Sequence, residues 1–357
     1  MTKPLRVIQW ATGAIGKCNI LTCHQNPAFK LVGVYVHSAE KHGKDAGEIA
    51  GIGPIGIKAS NNIDEVLALE ADIVQYAPLL SNVDEICRIL EAGKNVITPS
   101  GFTTVSNKAD AAKLEAACKK GGVSFHGSGI HPGFSGDRLP LILSGMSRRI
   151  DKITVYEIVD MSLVNESWDM VKILGFDMTA DEARKNPPGL LQVLSTIFFE
   201  SIALVAQGLG LQIESYEKTH EFALAQHDIE VILDMGNKTG VVRKDHVAGQ
   251  NFNYMGKVGG KTVIDFKTYW KMSKDLEPNW PFDEPWAYHV IIEGDPNLKL
   301  TFTCGAPDGR DSARLGLVCT AMNCMNTAPL VVAAKPGIVT QLDLPMIRAV
   351  NAFNPKK

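Results

Sequence analysis

Leu5-Arg6-Val7-Ile8-Gln9-Trp10-Ala11-Thr12-Gly13-Ala14-Ile15-Gly16 reads as a strand, a tight turn and the N-terminus of a helix. The run up to Trp10 is extended and largely apolar, free of Gly and Pro, and a helical pattern starts at about Lys17. In the dinucleotide-binding fingerprint, glycines close such a turn, admit a pyrophosphate to the backbone and let helix and strand pack closely. Ala11 stands at the first glycine position, so the pattern here is Ala-x-Gly-x-x-Gly. Thr12, Gly13, Ala14, Ile15 and Gly16 are the candidate phosphate contacts. The competing reading is an ordinary strand-to-helix turn of some other α/β protein. The motif's place at the start of the chain and the segments after it weaken that reading.

Working outward, the first helix ends at Asn26-Pro27, and residues 30–36 read as a buried second strand. Roughly 20 residues beyond the glycines, an Asp or Glu at the end of that strand accepts hydrogen bonds from the ribose 2′-hydroxyl. This chain has His37-Ser38-Ala39-Glu40-Lys41. With no carboxylate at the strand end, and the Ser38 hydroxyl and Lys41 cation nearby, a 2′-phosphate fits better. NADP is therefore expected over NAD, although Glu40 could turn toward the ribose and permit both.

Residues 43–58 resemble a loop with a short helix or strand. Asn62-Ile63-Asp64-Glu65 and Ser81-Asn82-Val83-Asp84 have helix-cap spacing. Residues 73–77, 95–98 and 123–126 read as strands, and a helix over 107–120 stops at Gly121-Gly122. This alternation predicts an α/β fold that begins with a Rossmann domain, a doubly wound parallel sheet covered on both faces. Ligands of such sheets lie beyond the carboxyl ends of the strands. That places His37, Ser38, Ala77, Pro78, Ser100, Gly101 and Gly129 with the fingerprint as cofactor contacts. The stretch Gly127-Ser128-Gly129-Ile130-His131-Pro132-Gly133-Phe134, rich in glycine, implies a backbone held in unusual conformations close to something.

A second α+β domain with a large mixed or antiparallel sheet is expected from about Asp151. Residues 152–159 alternate as a strand, with Asp160-Met161-Ser162 at its end. Trp168, Met170, Phe176 and Met178 follow in a segment too irregular for a long helix, and form a pocket wall or plain core. A helix starts at Pro187-Pro188-Gly189 and runs to about Gln207. Residues 217–235, 241–253, 261–271, 288–293 and 298–304 read as strands, with Gly236-Asn237, Gly240 and Gly259-Gly260 as turns. Such a sheet, open on one face, suits a homodimer. Residues 312–327 are a helical pattern and 341–346 return in extended form. The expected domains are residues 1–135 for the dinucleotide, 136–328 for substrate and dimerisation, and 329–357 returning to the first.

A length of 357 residues, 45% hydrophobic and 21% charged, allows two domains with substantial cores. The formal charge of −3 supplies no electrostatic footprint for nucleic acid or an anionic membrane. Seven cysteines form no Cys-x-x-Cys pair, and nothing resembles a signal peptide or an apolar run of a membrane span. A cytoplasmic protein with free thiols is expected. His220, His227, His246 and His289 lack metal-site spacing, so no metal is expected.

The opening turn, Val36-His37-Ser38-x-Glu40-Lys41, residues 127–134 and Asp343-Leu344-Pro345-Met346 together resemble one family. So do Val247-Ala248-Gly249-Gln250 and the stretch from Trp270 through Glu277-Pro278-Asn279-Trp280. It is the 2,4-diaminopentanoate dehydrogenase and native amine dehydrogenase family, dihydrodipicolinate reductase-like. The resemblance implies an NAD(P)-dependent oxidoreductase with a Rossmann domain, a second domain carrying substrate contacts and the dimer interface, and a final segment that returns to the first domain. It also implies a glutamate beyond the strand ending near Thr98 wherever amine chemistry is performed. Here Thr98-Pro99-Ser100-Gly101-Phe102-Thr103-Thr104-Val105-Ser106 has no carboxylate.

Hydride transfer requires the nicotinamide C4 to be placed against an electrophilic carbon with water excluded. A carbonyl must also gain a proton, whereas an iminium is already activated. His131 is the candidate catalytic donor, the alternative being that it orders its loop. The ribose 2′-hydroxyl, or the hydroxyl of Ser100 or Thr103, could relay a proton instead. Asp137 and Arg138, adjacent at a helix start, read as structural. Phe102, Phe134, Met161, Trp168 and Phe176 are candidate substrate contacts. The expected function is reduction of a C=O or C=N group of a compact, largely apolar small molecule. Reductive amination as an amine dehydrogenase is the alternative, and a non-catalytic NADP-binding sensor is another.

Overall fold

The computed structural model describes residues 3–164, 167–185, 189–233, 238–306 and 312–353. The chain forms two compact units, Met1–Phe134 with Leu317–Lys357, and Ser135–Gly316.

The first unit is built on β1 (Leu5–Trp10), β2 (Phe29–Tyr35), β3 (Ala59–Ser60), β4 (Ile73–Tyr76), β5 (Asn95–Thr98) and β6 (Ser124–Gly127), with the short strand Gly337–Ile338 beside β6. The seven strands run in the order Gly337–Ile338, β6, β5, β4, β1, β2, β3, and every neighbouring pair is parallel. The order reverses between β1 and β4, which makes the carboxyl ends of these two strands the topological switch point. All residues of β4, β5 and β6 are buried, as expected of parallel strands covered on both faces. Ile86, Ile89, Leu90, Leu114, Ala117 and Cys118 of helices Val83–Glu91 and Lys108–Gly121 cover one face, over Trp10, Tyr76 and Phe125. Ile20 and Cys23 of helix Ala14–Gln25 cover the other, with Cys324, Met325, Ala328 and Val331 of helix Ser312–Val332.

That packing explains why the division falls between Gly316 and Leu317 rather than at the expected residue 328: the apolar face of the last helix belongs to this core. Its stretch Arg314–Val332 is also apolar enough by length and composition to cross a membrane, but half of it is buried inside the protein.

The second unit contains β7 (Arg149–Asp160), β8 (Ser215–Ala225), β9 (Ile229–Leu233), β10 (Lys238–Val242), β11 (Val247–Val258), β12 (Lys261–Lys271), β13 (Leu276–Glu277), β14 (Trp286–Asp295) and β15 (Leu298–Phe302). Seven of these form a sheet in the order β13, β8, β11, β12, β7, β14, β15, antiparallel except where β12 meets β7, and β9 with β10 makes a separate ribbon. Helix Leu190–Gly208 buries Phe198, Ile202, Val205 and Ala206 against Val155, Phe252, Tyr254, Phe266 and Val290.

Several local expectations shift. The strand read over 217–235 breaks between Ala225 and Ile229. That over 241–253 is the end of β10 and the start of β11, and the bend between them includes Asp245 at φ 63°. Residues 168–178 hold a short helix, Trp168–Ile173, and residues 341–343 form a turn instead of an extended return. The turn at Gly236-Asn237 and the helix start at Pro187-Pro188 lie outside the described residues.

Gly127 ends β6 where an added Cβ would collide with the backbone of Gly101 and Phe102. Gly127→Ala is expected to cost about 1–3 kcal/mol, the usual range for overpacking. Urea denaturation of the full chain measures this, and an unchanged midpoint contradicts the close approach.

Candidate active site

At the carboxyl end of β1 the chain turns through Ala11, whose φ of 67° lies in the left-handed region that glycine occupies freely. The turn is held from below. Gln9 Nε2 donates to the Ala11 carbonyl at 2.9 Å, and Gln9 Oε1 accepts from Asn19 Nδ2 at 2.9 Å. Both amide side chains are buried. A Cβ at Gly16 would collide with the same Ala11 carbonyl, so glycine lets helix Ala14–Gln25 approach the turn.

Gly13 shows the opposite: a Cβ there meets nothing within 4 Å. No side chain caps this helix and no acid occupies its first turn. Helices Ala46–Ala50, Ile63–Leu67, Val83–Glu91 and Lys108–Gly121 of the same unit are capped by Asp45, Asn62, Asn82 and Asn107. Exposed N–H groups and the positive end of the helix dipole over open space suit a pyrophosphate.

Beyond β2, Lys41 Nζ donates to Thr12 Oγ1 at 3.2 Å, which brings a cation to the fingerprint turn. Ser38 Oγ accepts from the Glu40 amide at 3.2 Å and caps the turn Ala39–Lys41, while Glu40 itself is exposed. The His37 ring packs edge-on to Tyr35 at 5.0 Å, and its Nε2 lies 3.6 Å from Glu85 Oε1. Glu85 also accepts from Tyr76 OH at 2.6 Å. Burial, and then this hydrogen bond, push the Tyr76 phenol upward.

At the ends of β4 and β5, Ala77 donates to the Trp10 carbonyl at 3.0 Å, and Ser100 Oγ donates to the Pro78 carbonyl at 3.3 Å. The backbone then passes through positive φ at Gly101 (89°), Phe102 (61°) and Val105 (50°). A β-branched residue in that region is strained, and such strain clusters at ligand sites. The Phe102 ring meets the edge of Phe125 at 5.6 Å and packs partly into the core.

Beyond β6, Gly129 and Gly133 have φ of 117° and 120°, and a Cβ on either would press on loop backbone. Asn323 from the last helix donates through Nδ2 to Ser128 Oγ and the Gly133 carbonyl, each at 3.2 Å, and to the Gly129 carbonyl. Gln341 Nε2 donates to the Gly133 carbonyl at 2.6 Å. His131 and Phe134 sit half-buried in this loop. The nucleotide-side candidates thus gather at the carboxyl ends of neighbouring strands β6, β5, β4, β1 and β2. Gln9, Asn19, Glu85, Asn323 and Gln341, which shape this region, carry no signal of that role in the sequence.

In the second unit, buried Asp137 accepts from the Arg138 amide at 2.8 Å and from Ser201 Oγ at 2.9 Å, and so caps helix Arg138–Ser144. Burial pushes the Arg138 guanidinium down to about 10, against the opposing pull of Asp137. Met161 and Trp168 are half-buried against a core that includes Phe176. Phe176 itself is fully buried, which corrects its reading as pocket wall. Gln250 Nε2 holds the preceding turn through the Leu174 and Gly175 carbonyls at 3.2 and 2.8 Å. Gln250 Oε1 meets His220 Nε2 at 2.6 Å, and burial lowers the His220 pKa. Among the described residues no group of three or more His, Cys, Asp or Glu side chains could hold a metal ion.

Residues 134–356 match the family described as 2,4-diaminopentanoate dehydrogenase C-terminal domain. The chain belongs to that family. Residues 7–127 match the dihydrodipicolinate reductase N-terminus, an NAD(P)-binding domain. An amine dehydrogenase of Streptomyces virginiae is 25% identical over 370 residues, covering 99% of both chains. A 2,4-diaminopentanoate dehydrogenase of Acetoanaerobium sticklandii is 25% identical over 272 residues, covering 75% of this chain and 71% of the other. The solved amine dehydrogenase of Mycobacterium smegmatis shares the fold, with a TM-score of 0.79 at 22% identity over 98% of each chain. This 2,4-diaminopentanoate dehydrogenase family member is an NAD(P)-dependent dehydrogenase or reductase.

Gly13 and Gly16 separate folding from binding. Gly13→Val is expected to keep the parent's thermal midpoint within about 2 °C, yet weaken NAD(P)H binding at least roughly 10-fold by filling the open space before the helix. Gly16→Ala is expected to lower the midpoint. Calorimetry and nucleotide fluorescence read both, and a Gly13→Val protein that binds normally contradicts this placement.

Proposed function

We propose that this chain uses NADPH in preference to NADH to reduce a C=O or preformed C=N group of a compact, largely apolar substrate. The reading is carried by one observation: an uncapped helix over open space at Gly13, with Lys41 drawn to Thr12 beside it. Thr12, Gly13, Ala14, Ile15 and Gly16 would take the pyrophosphate. Ser38 and Lys41 would take the 2′-phosphate, with His37 beside the adenosine. Ala77, Pro78, Ser100, Gly101 and Gly129 would border the remainder. Bound there, the nicotinamide supplies hydride.

The chain must also protonate a reduced carbonyl oxygen, and His131, in the loop beyond β6, is the residue assigned to that step. Phe102 and Phe134, beyond β5 and β6, supply the apolar substrate contacts of this reading. Residues 98–106 carry hydroxyls and no carboxylate, so nothing there matches the glutamate tied to ammonia handling. The names of the Streptomyces and Mycobacterium relatives, similar to this chain over nearly its full length, support amine dehydrogenation as the second reading. We further place the protein in the cytoplasm, as free thiols suggest, and as a homodimer paired through the sheet face away from helix Leu190–Gly208.

NADPH oxidation is measured with a panel of aldehydes and ketones, with and without excess ammonium or methylamine. Turnover without amine is expected, and His131→Gln then lowers kcat by about 10²-fold. Turnover only with amine replaces this reading by the second. For the cofactor, Lys41→Ala is expected to raise KM for NADPH several-fold while leaving NADH nearly unchanged, and Ser38→Asp to shift preference toward NADH. Equal ratios before and after either change contradict the 2′-phosphate assignment.

A further inference from the structure

The loop 127–134 doubles back on itself so tightly that a Cβ at Gly133 would strike the backbone of Ser128 and Gly129. Carbonyls turned toward one another in such a fold need donors, and within the first unit these come from far along the chain. Asn323 gives its amide group to the Gly129 and Gly133 carbonyls and to Ser128 Oγ, and Gln341 adds a bond to Gly133. Asn323 stands between the core residues Met322 and Cys324 on helix Ser312–Val332, so its own position is set by packing. Ser128 is fully buried and donates its backbone N–H to the Thr98 carbonyl at 2.8 Å, which ties the loop's start to β5. The amide of Asn323 therefore bridges the loop's start and end, and fixes the conformation between them.

We propose that Asn323, assisted by Gln341, is the positioning residue of the nicotinamide half of the nucleotide site. It holds loop 127–134 in the conformation that receives the nicotinamide, without touching the adenosine half. The inference rests on the reading that this loop lies at the nicotinamide. The two halves are separated in space, since the adenosine end is read at β2 and the loop follows β6 at the other side of the switch point. A defect in Asn323 should then be felt by the whole dinucleotide and not by a fragment that lacks nicotinamide.

Asn323→Asp tests this, being isosteric while replacing donor by acceptor in front of two carbonyls. Binding of NADPH and of 2′-phospho-ADP-ribose to the full-length protein is measured by calorimetry, with NADH and ADP-ribose in a parallel pair. In the parent, the dinucleotide is expected to bind more tightly than the fragment. In Asn323→Asp at pH 8, the dinucleotide is expected to lose about 10-fold and approach the fragment, whose affinity stays within 2-fold. On lowering the pH, the introduced carboxylate regains a proton to donate, so the dinucleotide-to-fragment ratio should recover toward the parent's. A structural lesion alone would not produce that trend. Gln341→Ala is the milder companion and should show a smaller loss of the same kind.

Equal losses for dinucleotide and fragment, or no loss for either, overturn the proposal. A parent that binds dinucleotide and fragment equally also overturns it, by removing the loop from the nicotinamide, yet leaves nucleotide binding intact. A parent that binds neither overturns the proposed function along with it.

Discussion

The close approach of helix Ala14–Gln25 to the turn at Ala11 is the constraint on which the first unit depends. It requires glycine at position 16, where a side chain would run into the Ala11 carbonyl, and it requires Ala11 to adopt a left-handed conformation. The second requirement costs on the order of 1 kcal/mol for a residue with a Cβ. Gln9 and Asn19 offset it with a buried chain of hydrogen bonds that ends on that same carbonyl. The helix start is thereby fixed with its N–H groups directed over Gly13. Every other helix described between Asp45 and Gly122 has its amides occupied by an Asp or Asn side chain. One helix left uncapped at the switch point of a parallel sheet is a geometry that suits an anion.

Around that place the sheet edge is assembled from strain and borrowed donors. Phe102 and Val105 hold positive φ, and residues 128–133 fold back on themselves. The compensating groups lie elsewhere: Ser100 reaches Pro78, while Asn323 and Gln341 reach back roughly two hundred residues. The C-terminal return therefore completes the core of the first unit through Cys324, Met325 and Ala328, and organises the glycine-rich loop at the sheet edge.

What could be read in advance follows from the range of each interaction. The strand-turn-helix at residues 5–16, the Asn62 cap, the cap spacing over residues 81–84 and the stop at Gly121-Gly122 are local, since their partners lie within a few residues. The α/β alternation rests on the same local signals and was legible. Asn323, Gln341 and Glu85 act on groups distant in sequence and carry no signature of their own. For Phe176 the sequence leaves pocket wall or core open, because an apolar side chain after an irregular turn can face either; it is buried, and Gln250, far along the chain, holds the turn before it. The turn between β10 and β11 escaped notice because Asp245 takes the left-handed position that a glycine would have announced.

We propose the first turn, with Lys41 beside it, as the site of a dinucleotide carrying a 2′-phosphate. Calorimetric titration of the full chain with NADPH and with NADH, at low and at high salt, addresses it most directly. One nucleotide per chain is expected, with NADPH tighter than NADH and an advantage that shrinks as salt screens the Lys41 contact. No binding of either nucleotide, or a preference for NADH at both salt concentrations, would contradict it.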